Sequence, residues 1–206
     1  MDKGEYLDNW SALHGGAKIE GIVKAWLSIS YAVVKPLAKL RVTPNALTLG
    51  GLIFAILLWQ FPQSWPAALF LIASLMLDGI DGSLAIVTRV TSKFGAFTDS
   101  FVDRLSEVFW ALALYELGAP KALVFIALVA AFTQEYLRAR SGGLGHNEIG
   151  IVTISERPVR ASLLFIVIIA NLVSIQIATA ISIVWVLMQV IALVQLSASS
   201  YKRLKN

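Results

Sequence analysis

Apolar residues fall into six blocks, at about 45–62, 66–90, 94–117, 120–139, 159–174 and 177–197. A helix needs roughly 17–25 such residues to cross hydrocarbon, so each block predicts a spanning helix. The fifth block is the shortest, and it either tilts little or begins earlier. Pro62, Pro66, Gly118 and Pro120 punctuate the first four, and Asn171 marks the turn between the last two. Ahead of them, residues 21–41 follow a different rhythm. Ile22, Trp26, Ile29, Val33 and Leu40 recur at helical spacing, while Lys24, Ser28, Lys35 and Lys39 share another face. That pattern predicts a helix lying in the membrane interface among anionic headgroups. The alternative is a helix packed on a soluble domain, and no soluble domain is present to receive it. The expected fold is an all-α polytopic membrane protein, with six transmembrane helices preceded by an amphipathic interfacial helix. Residues 1–44 form an N-terminal cytosolic segment, 45–197 the transmembrane domain and 198–206 a basic tail. Residues 1–20 carry Asp2, Glu5, Asp8 and Glu20 without an apolar run, so they do not read as a signal peptide.

Composition agrees. The chain is 57% hydrophobic and only 15% charged, whereas a soluble domain carries about a quarter charged residues. Cysteine is absent, which excludes disulfides and thiolate catalysis. With the N-terminus in the cytosol, every Lys and Arg except Arg104 and Lys121 lies on the cytosolic side. This asymmetry predicts cytosolic termini in a multi-pass cytoplasmic membrane protein, with membrane lipids and no nucleic acid as partners. The six tryptophans (Trp10, Trp26, Trp59, Trp65, Trp110 and Trp185) read mostly as interface anchors. His14 and His146 stand alone in polar segments and read as solvated rather than as metal ligands.

The chemistry concentrates at one turn. The second block ends in Asp78-Gly79-Ile80-Asp81-Gly82-Ser83-Leu84-Ala85, and the third opens with Gly95, Asp99 and Asp103. Spacings of three and four place each aspartate pair on one face of its helix. A short turn joins the helices, so all four carboxylates can converge near their cytosolic ends. An aspartate at the centre of a membrane helix costs roughly 2.5–3.5 kcal/mol, and converging carboxylates repel one another. Divalent cations remove both penalties. An all-oxygen site selects hard ions such as Mg²⁺ or Mn²⁺, and a pair of ions can polarise a diphosphate. Gly82 and Gly95 leave room for a nucleotide or a facing helix. Aspartates snorkelling to water would explain one or two such residues, not four. A cation or proton path would spread its acids over several depths, whereas these cluster toward one membrane face.

Asp78, Asp81, Gly82, Ala85, Gly95, Asp99 and Asp103 match, in identity and spacing, the motif D-x-x-D-G-x-x-A-R, then eight residues, then G-x-x-x-D-x-x-x-D. The chain therefore resembles the CDP-alcohol phosphotransferases (CDP-alcohol phosphatidyltransferases). The six-span layout and Thr43-Pro44-Asn45-Ala46-Leu47-Thr48 extend the resemblance over most of the chain. It implies that Asp78, Asp81 and Asp99 hold two metal ions, with Asp103 assisting and serving as general base. It implies nucleotide contacts at Asn45, Thr48, Gly82, Ala85 and Gly95, although Asn45 and Thr48 suit a helix start equally well. It also implies CDP-diacylglycerol as donor, CMP as leaving group and a homodimer. One position departs: Ile86 stands where the family has arginine. Either Arg89 or Lys93 substitutes, or donor contact is weakened. An inactive relative is the extreme case.

A second basic cluster bears on the acceptor. Arg138-Ala139-Arg140 closes the fourth block and Glu156-Arg157-Pro158-Val159-Arg160 opens the fifth. Arginine forks suit a phosphate, while positive-inside topology alone explains some of these residues. The segment resembles the actinobacterial phosphatidylinositol phosphate synthase branch, which implies an acceptor-phosphate site at Arg138 and Arg160 and inositol phosphate as acceptor. That branch also uses a basic residue on the last span, where this chain reads Val194-Gln195-Leu196-Ser197-Ala198. Glycerol 3-phosphate is the nearest alternative acceptor. Arg104 and Glu107, three residues apart, are expected to pair, or Arg104 to approach the acidic cluster.

Overall fold

Residues 1–144 and 151–204 are described by the computed structural model, so His146 and Lys205 lie outside the described residues. These residues form helices and no strand: α1 (Lys3–Leu13), α2 (Gly21–Lys39), α3 (Pro44–Gln60), α4 (Ala67–Thr88), α5 (Lys93–Glu116), α6 (Lys121–Gly143), α7 (Arg157–Leu172) and α8 (Ala178–Leu204). Each apolar block became a helix, α3 to α8. Three of them, α4, α6 and α8, are long and apolar enough to cross a membrane. A fourth span results if α2 and α3, bent by 112° at their junction, are taken together.

α1 was not foreseen. Its start is fixed by Asp2, whose side chain accepts from the Glu5 amide at 2.9 Å, a cap that satisfies an orphan helix donor. α2 ends where Arg41 takes a left-handed conformation, φ 57°, with Val42 N–H donating back to the Leu37 carbonyl. Thr43 then accepts from Ala46 N–H at 3.3 Å, and Pro44 opens α3 where no amide donor is needed.

The chain divides into two compact units, the first comprising residues 1–53 and 73–105 and the second residues 54–72 and 106–206. In the first, Tyr6, Leu27, Tyr31 and Ile86 form one buried cluster, and Val34, Leu47, Ile80 and Leu84 form another. α2 thus buries Leu27, Tyr31 and Val34. Of the stripe read from the sequence, Ile22, Ile29, Val33 and Leu40 are exposed, while Trp26 packs against both clusters. The helix is apolar on two sides, one facing protein and one left unpartnered.

In the second unit α6 packs along α8. Ala127, Ala131 and Ala192 are wholly buried, and small residues let helix backbones approach closely. A polar ladder crosses this core. Gln134 donates to Thr153 Oγ1 at 3.0 Å, Gln189 donates to Gln134, and Ser155 donates to Gln189 at 2.7 Å. Each buried amide is thereby satisfied, as an interior polar group must be. Two tryptophans depart from the anchor expectation: Trp110 and Trp185 are buried, and the Arg157 guanidinium lies 4.9 Å from the Trp110 ring centroid.

Candidate active site

The turn between α4 and α5 builds the acidic centre. α4 terminates at Arg89, φ 60°, with Val90 N–H donating to the Ala85 carbonyl at 3.0 Å. Ser92 Oγ then accepts from Gly95 N–H at 2.9 Å and caps α5. A Cβ on Gly95 would stand 3.0 Å from that hydroxyl, so the missing side chain serves the cap itself. The turn aligns the aspartates of the two helices. One carboxylate oxygen each from Asp78, Asp99 and Asp103 falls within 4.8 Å of the others, and all three residues are half-buried. Three hard oxygen donors at this separation fit a divalent ion of the Mg²⁺ or Mn²⁺ kind.

Asp81 is held differently. It is buried, receives the Thr48 hydroxyl on Oδ2, and accepts Gly82 N–H on Oδ1 at 2.5 Å. Thr48 is therefore joined to the acidic motif through Asp81, with the Pro44 carbonyl 3.2 Å from the same hydroxyl. Asn45 and Gly82 are exposed, and Ala85 is half-buried. Arg104 lies beside the cluster, 3.9 Å from Asp103. Sequence reasoning overlooked Gly51. A Cβ there would meet the Ser74 carbonyl at 3.1 Å and the Asp78 amide at 3.6 Å, so glycine lets α3 approach α4 beside the first aspartate. The Gly50-Gly51 pair inside an apolar run was the available signal.

The arginines lie in the other unit. Arg138 forks onto Glu156, donating to Oε2 at 2.8 Å and also to Oε1. Glu156 also accepts from Thr153 N–H at 2.6 Å and from its hydroxyl at 2.8 Å. Burial pushes the Glu156 carboxyl up, but the bonds from Arg138 and Thr153 outweigh it and hold the group below its ordinary value. Arg160 is 3% exposed. It donates to Glu107 and to the Ser155 carbonyl, with Glu135 3.7 Å away. Glu107 thus pairs with a residue of α7. On α8, Gln195 accepts from the Ile154 amide at 3.3 Å.

Ile86 is 6% exposed and packs with Tyr6, Leu27 and Tyr31. Arg89, a candidate substitute for the family arginine, pairs with Glu5 of α1, and Lys93 is exposed. Ile86→Arg would force a guanidinium among two tyrosines and a leucine, and an unpaired buried charge is costly. The expected outcome is a lower melting temperature and no gain in donor affinity. A lower donor KM at unchanged melting temperature would contradict this placement.

Helices of this composition, with paired carboxylates at the end of α4 and the start of α5, define a membrane enzyme. The sequence model of the CDP-alcohol phosphatidyltransferases matches residues 41–196, and the chain belongs to that family. It is 34% identical over 146 residues to the archaetidylinositol phosphate synthase of Pyrococcus horikoshii, covering 68% of this chain and 77% of the relative. It is 35% identical over 163 residues to the phosphatidylinositol phosphate synthase of Corynebacterium glutamicum, covering 72% and 69%. The fold resembles the crystal structure of Mycobacterium tuberculosis phosphatidylinositol phosphate synthase in complex with manganese and citrate. The TM-score is 0.65 at 20% identity, over 84% of this chain and 88% of that one. A second structure of that synthase, with CDP-DAG bound, matches with the same score over 84% and 92%.

Proposed function

We propose that the protein transfers a phosphatidyl group from CDP-diacylglycerol to a hydroxyl of inositol phosphate, releasing CMP. The observation that carries the reading is the convergence of Asp78, Asp99 and Asp103 in a chain of this family. The names of the relatives, an archaetidylinositol phosphate synthase from an archaeon and a phosphatidylinositol phosphate synthase from an actinobacterium, favour the acceptor. Asp78, Asp99 and Asp103, with Asp81 beside them, would hold Mg²⁺ or Mn²⁺. Bound there, two such ions would neutralise the diphosphate charge. Asp103 takes the proton of the acceptor hydroxyl. The oxygen then bonds to the phosphorus that carries diacylglycerol, and the bond from that phosphorus to CMP breaks. Such a transfer needs mostly positioning and charge neutralisation. Asn45, Thr48, Gly82, Ala85 and Gly95 are assigned to the donor side, Thr48 acting through its bond to Asp81.

The same reading places six helices across the membrane, with both termini and the acidic centre at the cytosolic face. α2 would lie in the interface, supported by its exposed apolar stripe and the 112° bend into α3. We take the enzyme to be a homodimer.

The acceptor phosphate is assigned to Arg138; Arg160, the second arginine expected there, is buried with its guanidinium on Glu107 and the Ser155 carbonyl and is given no phosphate contact. An incoming phosphate can take the place of Glu156 on the half-exposed Arg138 fork while keeping its charge neutralised. Loss of one charge-assisted contact costs about 1.5–3 kcal/mol, or roughly 10- to 150-fold in affinity. Arg138→Gln should therefore raise the acceptor KM by about that factor and erase preference for phosphorylated over plain inositol, with donor KM little changed. An unaltered acceptor KM and preference would make Arg138 a topological residue. Preference for glycerol 3-phosphate over inositol phosphate would overturn the acceptor.

A further inference from the structure

α1 and α2 lie outside residues 41–196, the stretch matched to the family, yet both pack on α4 within it. Tyr6 of α1 is wholly buried, and its hydroxyl lies 2.8 Å from Ser83 Oγ, which is buried too. Its ring sits 5.4 Å from that of Tyr31, whose hydroxyl donates to the Met1 carbonyl at 3.0 Å. Leu7 and Trp10 of α1 pack against the same cluster. Trp26 of α2 covers Gly79: a Cβ there would stand 2.9 Å from the indole Cζ2, so the missing side chain lets the ring lie this close. Ser83 also departs from several helix serines of this chain. Ser28, Ser100, Ser162 and Ser182 donate to the carbonyl four residues earlier, whereas Ser83 meets a hydroxyl from another helix.

These contacts fall behind the acidic motif. Gly79, Ser83 and Ile86 step by four and three and share one face of α4. At about 100° per residue, that face lies roughly 140° around the helix from the bisector of Asp78 and Asp81. One side of α4 therefore carries the carboxylates while the other is clamped by α1 and α2. Side chains reach about 5–6 Å from a helix axis, so a rotation of about 10° carries the Asp78 carboxylate through about 1 Å. Metal–oxygen distances in a working site hold to about 0.2 Å, so a small rotation is enough to spoil the convergence of Asp78 with Asp99 and Asp103. The Glu5–Arg89 pair also ties α1 to the end of α4, but it is exposed, and exposed pairs contribute little.

Resting on the metal reading above, we propose that Tyr6 is a positioning residue for the acidic centre, α1 acting as a strap that fixes the rotation of α4 through Ser83. The hydroxyl bond sets where α1 sits along α4. The ring, wedged among Leu27, Tyr31 and Ile86, resists turning of the helix. Asp78 is thereby kept in register with Asp99 and Asp103, whose oxygens lie within 4.8 Å of its own. Tyr6 acts through α4 rather than on substrate, so its loss appears in metal affinity and not in the transfer step at saturating metal.

The test measures Mn²⁺ binding to purified full-length protein by electron paramagnetic resonance, beside CMP release against Mn²⁺ concentration and thermal melting in detergent. Tyr6→Ala should weaken Mn²⁺ binding about tenfold, the lower end of the loss on removing an outer support of a metal ligand. The Mn²⁺ concentration for half-maximal transfer should rise in parallel, while kcat at saturating Mn²⁺ and acceptor KM stay near wild type. Tyr6→Phe keeps the ring and should lose about threefold. Adding Ser83→Ala leaves no hydroxyl without its partner, and affinity should return toward wild type. Gln189→Leu is the control: it strands Gln134 and Ser155 in the other unit, so it should lower the melting temperature and leave Mn²⁺ affinity unaltered. Unaltered Mn²⁺ affinity in Tyr6→Ala, or in Tyr6→Phe if the alanine variant does not fold, overturns the strap, as does an equal loss in Gln189→Leu. Wild type that binds no Mn²⁺, or an Asp78→Asn variant that binds it equally well, overturns the metal reading itself, and the strap with it.

Discussion

Asp103→Asn is expected to stop turnover while sparing donor binding. A positioned general base contributes about 10²–10⁴-fold, and an amide cannot accept the hydroxyl proton. Asp78 and Asp99, whose oxygens converge with that of Asp103, still supply anionic ligands, so metal-dependent CMP binding should remain measurable. Asp78→Asn should behave differently, losing metal-dependent nucleotide binding along with activity. The pair of measurements, CMP release and calorimetric CMP binding in Mn²⁺, separates the roles. Near-wild-type transfer by Asp103→Asn would remove the assigned base.

Arg160→Gln should cost stability more than any other substitution among the arginines. Arg160 and Glu107 are both almost wholly inaccessible, with side chains 2% and 4% exposed. Removing one partner of a buried pair strands the other charge, typically at about 3–5 kcal/mol. The melting temperature of the detergent-solubilised variant should fall sharply, and Glu107→Leu combined with Arg160→Met should recover most of the loss. Arg138→Gln, which opens a half-exposed pair, should shift melting far less. Equal melting temperatures for wild type and Arg160→Gln would contradict the buried pair.

These two cases also mark where sequence stops informing. The hydrophobic blocks predicted α3 to α8, closely in 94–117 against Lys93–Glu116 and less so in 177–197 against Ala178–Leu204, where the helix continues past the apolar run into the stretch read as a tail, because long apolar runs leave little choice but helix while their polar ends do not mark where it stops. Of the four aspartates expected to converge, Asp78, Asp99 and Asp103 do so, since spacing along two helices joined by a short turn limits which carboxylates can meet, while Asp81 is held by Thr48 instead. What spacing does not contain is long-range pairing. Thr48 bonds Asp81 across 33 residues, and Arg160 reaches Glu107 across 53. Tyr6 meets Ser83 across 77. α1 was missed for the same reason: it has no apolar run, and one buried tyrosine does much of its docking. α2 was read by its outer stripe, while Leu27, Tyr31 and Val34 supply the face that packs. Ile86 looked like a lost donor contact, yet it is buried beneath that unforeseen helix.

The most direct test of the account is stoichiometric. Purified protein would receive CDP-diacylglycerol, inositol phosphate and Mn²⁺, and CMP and lipid product would be counted together. The account predicts one phosphatidylinositol phosphate per CMP, abolished by a chelator, restored by added Mn²⁺ or Mg²⁺, and absent in Asp99→Asn. CMP release that persists undiminished in chelator or in Asp99→Asn, or no CMP release with any polar alcohol acceptor at saturating metal, would contradict a metal-dependent transferase built on these three carboxylates.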